Sequence, residues 1–404
     1  MSDAVLPASR FDSRRRGRDF PMSITGVGAV TGYGWGAKHL WDGFLIGESA
    51  VTLTTGLEGY VEGGEAYLSL ISDEGDRHDG PSRFMRAARF AGREAVADAR
   101  ERGWEPGPVV GLVHSIEAGD IESWSEFYRS GESKVRPKRW VNLLPSTVIS
   151  QFMKEHDFHG PTMSVSAMCA TANTAMITAK SWLDSGVATD VILLSTDLSG
   201  IPQTLRGFSD LGVAVLNRPP LDACRPFQEG SRGFVGGEAA VAMVLSRRPV
   251  GSYADVLGGG MTMDAYNLVG VAPDLSEMTR SFRLAMADAG VDPEEVAYLN
   301  AHGPGTGMCD AAEAKILDEL FPDARGVFSI KPLVGHCQSA AAAVETLATV
   351  YSFQTDYIPA PPQVAPGHPK LVDGRTPRVP GLVLKSSIGM GGYNTVVVIG
   401  EPEG

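Results

Sequence analysis

The chain has 404 residues, 43% hydrophobic and 21% charged, with a formal net charge of −13. That length supports one large domain or two fused medium ones with a sizeable core. The acidic balance argues against nucleic acid or an anionic membrane as a general partner.

The first 21 residues carry Arg14, Arg15, Arg16 and Arg18 with no apolar stretch behind them, so they read as a flexible basic tail rather than an export signal. From residue 22 onward, short runs at 22–30, 108–116, 161–167, 189–197, 239–248, 296–302, 326–330 and 382–388 are continuous and apolar or small, as in strands covered on both faces. Between them, 82–103, 169–186, 276–290, 309–321 and 338–354 repeat apolar residues at three- and four-residue steps and predict helices. The order is that of a layered α/β protein, with two halves, 22–250 and 251–404, that show no sequence repeat. Any internal symmetry is expected to be structural only. The proline-rich stretch 358–381 reads as an ordered surface loop. No apolar run reaches the length of a membrane helix, since "AAAAVETLATV" is short and contains Glu345. The four cysteines, Cys169, Cys224, Cys309 and Cys337, are too few and too scattered for a disulfide framework, so a soluble protein in a reducing cytoplasm is expected.

Four stretches carry chemistry. "MSVSAMCATANTAM" places Cys169 between a small-residue strand and a helix, where free backbone N–H groups and the helix dipole favour a thiolate nucleophile. Ala167, Ala170 and Ala172 leave room for a tight turn and an approaching substrate. The alternative is a buried structural cysteine. "YLNAHGPGTGMCDAAEAK" delivers His302 into a glycine-rich turn, followed by Asp310 and Glu313; its "GPGTG" lacks the full dinucleotide fingerprint. "FSIKPLVGHCQSAAAAVE" carries Lys331 and His336 at a similar strand end. The "GMGG" turn of "LKSSIGMGGYNTVVVIGEP" can point a backbone N–H into a cavity, as half of an oxyanion hole. None of the Cys and His spacings is that of structural zinc, so no metal is expected.

Taken together with "RPFQEGSRGFVGGEAAVAMVL" and "DAYNLVG", these motifs resemble, in order and over nearly all of residues 22–404, the β-ketoacyl synthases of the thiolase superfamily. The chain is most similar to the elongating Cys-His-His class and to the ketosynthase subunits of type II polyketide systems. The resemblance implies a five-layer αβαβα fold with two similar halves, and a homodimer or a heterodimer with a chain-length-factor-like subunit. It also implies decarboxylative condensation of an acyl thioester with a malonyl-type acyl carrier protein thioester, in a specialised polyketide or fatty-acid-like pathway. Cys169 would carry the acyl group, His302 and His336 would stabilise the enolate, and backbone N–H groups of Cys169 and Met390 would form the oxyanion hole. Lys331, Glu313 and Asp310 would support them, the first two by charge pairing. No cofactor is implied beyond the phosphopantetheine of the carrier.

Ile388, Met390 and Tyr393 stand where the family usually has a phenylalanine-rich gate, which suggests an unusual acyl chain. An acidic carrier protein needs a basic landing site, and Lys134, Arg136, Lys138 and Arg139 supply one where the family docks its carrier; a plain solvated charge run is the alternative. Two other functions compete: acyl transfer or hydrolysis at Cys169 without condensation, and a non-catalytic chain-length partner, against which Cys169 itself argues.

Overall fold

The computed structural model describes residues 21–131, 136–248 and 250–402; the basic tail through residue 20 and Lys134 lie outside them. Ten strands build the main sheet: β1 (Met22–Thr31), β2 (Val110–Ser115), β3 (Thr162–Val165), β4 (Asp190–Asp197), β5 (Ala239–Ser246), β6 (Ala254–Met263), β7 (Val296–Asn300), β8 (Gly326–Phe328), β9 (Leu382–Gly389) and β10 (Tyr393–Gly400). They lie in the order β8-β7-β9-β10-β6-β1-β5-β4-β2-β3, with a two-residue strand, Gly34–Trp35, attached to β1.

The two ends of that order have the same plan. Outward from β1 the pairings to β5, β4, β2 and β3 run antiparallel, antiparallel, parallel, parallel. Outward from β6 the pairings to β10, β9, β7 and β8 run the same way. The halves meet through a short antiparallel contact, Met22 to Val256 through Ile24 to Ala254. The symmetry absent from the sequence is therefore present in the topology.

Five helices complete the layers: α1 (Arg83–Glu101), α2 (Thr171–Ser185), α3 (Ser276–Ala289), α4 (Gly307–Leu320) and α5 (Ala341–Thr355). Strand residues alternate between faces. Val113, Val191, Leu193 and Met243 join Val383 and Val397 in a core around α2 and α5, between the half-sheets. Leu112, Ile192, Leu194 and Val244 face α1 on one outside, and Leu299, Leu384, Val396 and Val398 face α3 and α4 on the other. The result is αβαβα. Helix α5 is buried along almost its whole length, as a central layer requires.

Three points depart from the sequence reading. First, β6 and β10 are absent from the runs read in the sequence, and in β6 Gly258, Gly259 and Gly260 break the apolar pattern. A Cβ on Gly260 would sit 2.2 Å from the Ser281 carbonyl of α3, so the helix rests directly on the strand backbone. Gly28 does the same in the other half, where a Cβ would lie 2.1 Å from the Ala91 carbonyl of α1. Second, the ends of the proline-rich stretch are not all loop: Tyr357–Pro359 pairs antiparallel with Arg375–Pro377. Third, helices at Ala37–Ile46, Ile121–Ser130, Pro145–His156 and Pro202–Asp210 had not been anticipated. Among the described residues no helix is long and apolar enough to cross a membrane.

Candidate active site

Cys169 lies in a three-residue 3₁₀ turn, Met168–Ala170, between β3 and α2. Met168 is left-handed there, at φ 52°. The turn is held from several sides: Thr171 Oγ1 accepts the Ala167 N–H at 2.9 Å and donates to the Met168 carbonyl at 2.5 Å, Glu117 accepts the Met168 N–H at 3.2 Å, and Ser387 Oγ donates to the Cys169 carbonyl at 2.8 Å. The thiol is 3.8 Å from Gln338 Oε1. Burial pushes it up to about 12, against the nearby Lys331 charge and reinforced by Asp197, Glu345 and Glu117. Burial outweighs the Lys331 charge and favours the thiol form.

His302 follows β7 and His336 follows β8, and their rings stand 5.5 Å apart at 74°. A ring nitrogen of each and Cys169 Sγ lie within 4.8 Å of one another. The tautomers follow from the partners. The Gln338 backbone N–H can only donate, and it lies 3.1 Å from His336 Nδ1; the Lys331 ammonium can only donate, and it lies 3.4 Å from His302 Nδ1. Both rings therefore carry their proton on Nε2 and face the cavity as donors, not as lone pairs ready for a metal. Burial, then Lys331, His336 and Lys385, hold His302 well below its ordinary range; burial, Lys331 and Lys385 do the same for His336. Both are neutral at physiological pH.

The supporting residues are arranged differently from the expected charge pairing. Glu313 does not pair with Lys331; it accepts the backbone N–H groups of His302 at 2.9 Å and Gly303 at 2.8 Å and the Ser386 hydroxyl at 2.6 Å. Lys331, fully buried, instead pairs with Glu345 on α5 and donates to the His302 carbonyl. Asp310 accepts the N–H groups of Phe227 and Gly305, each at 3.1 Å, and burial pushes its carboxyl up to about 7.

The turn after β9 touches the cysteine turn. A Cβ on Gly389 would meet the Ala167 carbonyl at 2.6 Å and Ala170 N at 3.3 Å, so only glycine allows the approach. The turn that carries Met390 therefore lies against the turn that carries Cys169. Ile388 and Met390 line the cavity together with Cys169, His302, His336 and Phe234; Tyr393 is outside that lining and pairs with Met263 and Gly389. The cavity measures about 80 Å³.

Arg136, Lys138 and Arg139 line a separate surface pocket of about 650 Å³ with Arg77, Arg83 and Arg86, interspersed with Asp73, Asp120, Glu122 and Glu126. Arg83 and Arg86 are already paired to carboxylates there. Sequence reasoning missed Glu345, Lys385, Ser386 and Gln338. A lysine within the otherwise apolar or small-residue 382–388 run was a visible signal; the partner of each was not.

Comparison with known proteins follows the same lines. Residues 19–250 match the family model for the beta-ketoacyl synthase N-terminal domain and residues 253–364 that for its C-terminal domain. The chain is 30% identical to a Staphylococcus aureus 3-oxoacyl-[acyl-carrier-protein] synthase 2, covering 93% of this chain and 99% of that protein. It is 27% identical to the chloroplastic 3-oxoacyl-[acyl-carrier-protein] synthase I of Hordeum vulgare, over 98% and 92% of the two chains. Among solved structures it shares its fold, at TM-score 0.83 and 20% identity over 95% and 99% of the two chains, with a type II PKS acyl-carrier protein complex of a ketosynthase bound to the hexaketide. The ishigamide ketosynthase/chain length factor aligns at TM-score 0.79 and 23% identity, over 95% and 99%.

Proposed function

The chain belongs to the beta-ketoacyl synthase family, and from that premise we infer that Cys169, His302 and His336 carry out its decarboxylative condensation in a polyketide or fatty-acid-like pathway. The observation that carries the assignment is the cluster itself: one thiol and a ring nitrogen from each of two buried histidines, all within 4.8 Å of one another.

The reaction runs in two halves. Cys169 sulfur attacks the carbonyl of an acyl-phosphopantetheine thioester, and the tetrahedral oxyanion rests on the backbone N–H groups of Cys169 and Met390. Collapse breaks the carbon–sulfur bond to the carrier, whose sulfur takes the thiol's proton. A malonyl thioester then enters, and its carboxylate leaves as carbon dioxide. The bonding pair becomes an enolate, whose oxygen accepts from His302 and His336. Two neutral donors stabilise that charge as it develops without a proton changing place. The enolate carbon attacks the acyl-enzyme carbonyl, the new carbon–carbon bond forms, and the Cys169 thiolate departs and is reprotonated. The product is two carbons longer. The scheme balances without metal or nucleotide.

Glu313, Lys331 and Asp310 hold the loops and rings in place, and Ile388 and Met390 gate the cavity. The partners are an acyl carrier protein, docked at the pocket of Arg136, Lys138 and Arg139, and a second subunit, either a copy of this chain or a chain-length-factor-like one. In support, relatives by fold were solved with an acyl carrier protein or a chain length factor, and β3 forms an exposed sheet edge with Met163 44% accessible. Four unpaired cysteines suit the cytoplasm.

The test is intact-protein mass spectrometry of wild type and Cys169→Ala, given an acyl carrier thioester and then malonyl carrier protein, with carbon dioxide followed in parallel. An adduct on wild type only, then carbon dioxide and a product two carbons longer, is expected. An adduct without carbon dioxide would overturn condensation in favour of acyl transfer or hydrolysis.

A further inference from the structure

Lys385 is a fully buried lysine in the middle of β9, on the face turned toward α5. Its Nζ lies 3.1 Å from the Asn300 carbonyl, 3.3 Å from the Ala301 carbonyl, 2.5 Å from the Ser386 carbonyl and 2.8 Å from Glu345 Oε2. The three carbonyls accept hydrogen bonds from it and Glu345 Oε2 faces it as an ion pair without a hydrogen bond, so the nitrogen serves them as an ammonium.

Two consequences follow from that placement. First, the three carbonyls leading into and including His302 are each gripped by a lysine: residues 300 and 301 by Lys385, residue 302 by Lys331. The N–H of His302 is held by Glu313, whose carboxylate also receives the hydroxyl of Ser386, the next residue after Lys385. Second, Glu345 is divided between the two lysines, Oε1 to Lys331 and Oε2 to Lys385. The buried ionisable groups that touch the His302 backbone or its partners are then Lys331, Lys385, Glu345 and Glu313, with Asp310 beyond them on the Gly305 N–H.

We propose that Lys385 is a positioning residue for His302, acting by sharing Glu345 with Lys331 so that the Lys331 ammonium remains on the His302 backbone and Nδ1. Without Lys385 the carboxylate of Glu345 faces Lys331 as its one remaining ion-pair partner, and the buried set loses one positive charge. Lys331 is drawn toward Glu345 and away from Nδ1, and the lock that keeps the His302 proton on Nε2 is lost. Acylation of Cys169 uses neither group. The proposal rests on the assignment of His302 to enolate stabilisation above.

The test compares wild type, Lys385→Met and the charge-balanced double variant Lys385→Met/Glu345→Gln. Acylation is read by intact mass and decarboxylation by carbon dioxide release from malonyl carrier protein. In Lys385→Met, acylation is expected to stay within about twofold while decarboxylation falls by at least about tenfold. The double variant is expected to recover most of that loss, which a merely structural lysine would not allow. Equal loss in both steps, no loss in either, or a double variant no better than the single one overturns the proposal. If Lys385→Met is insoluble, a soluble double variant that decarboxylates supports it, and two insoluble variants assign Lys385 to core stability and overturn it. Wild type that is acylated but releases no carbon dioxide refutes the underlying assignment instead, and the proposal with it.

Discussion

Met168 and Gln338 hold the same backbone conformation, φ 52° and φ 45°, at the same step of the two halves. Each opens a three-residue 3₁₀ turn that leads into one of the two central helices. The match extends outward: Ser387 of β9 donates to the Cys169 carbonyl, and Ser195 of β4 donates to the Ser339 carbonyl. Cys169 and Ser339 are therefore counterparts. They part at the strand ends, where Gly389, with no side chain, lies directly against the Cys169 turn while Asp197 stands in the equivalent place and accepts from Ser339 Oγ at 2.7 Å. One turn carries the Cys169 thiol and the other is filled in. Left-handed geometry costs a residue with a side chain about 1 kcal/mol. Gln338→Gly is expected to recover a few tenths of that to about 1 kcal/mol, read as a higher urea midpoint; a lower midpoint would show that the Gln338 side chain contributes more than its backbone costs.

The raised thiol sets a chemical expectation. With Cys169 at about 12 against an ordinary 9.0, the thiolate fraction at neutral pH is about a thousandfold smaller than for a free cysteine. Iodoacetamide labelling of the unliganded enzyme, mapped to Cys169 by peptide mass, is expected to be slow at pH 7 and still rising at pH 10. A plateau near pH 7 would show an activated thiolate.

The proposed roles of His302 and His336 in enolate stabilisation separate the two halves of the reaction experimentally. Substituting either with Asn is expected to lower decarboxylation about 10²–10³-fold, the loss typical of one preorganised donor, and to leave acylation measurable. Both rings are held well below 6.5, so they stay neutral as pH falls from 8 to 6. Carbon dioxide release should show no histidine break in that window.

His114 allows a clean stability test away from the site. It is buried beside Phe84 on β2, and burial pushes it down from 6.5 to about 3. The unfolded ring takes up a proton below 6.5 and the folded ring only near 3, so stability is lost as pH falls below 6.5. Between pH 7 and pH 5 this amounts to about 2 kcal/mol. In denaturant titrations at the two pH values, His114→Leu should lose less stability on acidification than wild type by about that amount. Equal losses would mean that the ring is already protonated in the fold.

What the chain discloses before folding, and what it withholds, divides along sequence distance. Cys169, His302 and His336 each end a run of small or apolar residues and enter a turn, so local pattern marks them. Lys331 is equally visible, but its partner Glu345 sits in an alanine-rich helix where it read only as a charge that disqualified a membrane span. Lys385 and Glu345 meet only because β9 and α5 pack face to face. The strand with Gly258–Gly260 was hidden for the same reason: its glycines answer to a helix that follows later in the chain. That reading has a mutational form. Gly260→Ala should cost about 3 kcal/mol or more by forcing α3 off the strand, whereas Gly207→Ala, in a helix with open space around it, should stabilise by about 0.5–1 kcal/mol.

The cavity, about 80 Å³, is well below the roughly 300 Å³ of ordinary ligand sites, so a long acyl chain is expected to enter only when part of the lining moves. Ile388 and Met390 lie on the turn best placed to do so. That turn is tied to the loop after β6 by Gly391 N–H to the Leu268 carbonyl and Asp264 N–H to the Gly392 carbonyl, both 2.8 Å, and by Asn394 Nδ2 to Asp264 Oδ1 at 2.6 Å. Asp264 also accepts the Ala272 N–H at 3.2 Å, so its carboxylate fastens the loop to itself and to β10. Asp264→Ala removes both side-chain bonds and should lower the free energy of opening by about 1–2 kcal/mol, or roughly tenfold in the open population. The open turn admits acyl chains faster and also admits water. Intact-mass time courses should show quicker acylation together with an acyl-enzyme that hydrolyses sooner. If acylation and hydrolysis both keep their wild-type rates, Asp264 does not restrain the turn, and the motion that opens the cavity must be sought at Phe234 and Val213 on the opposite wall.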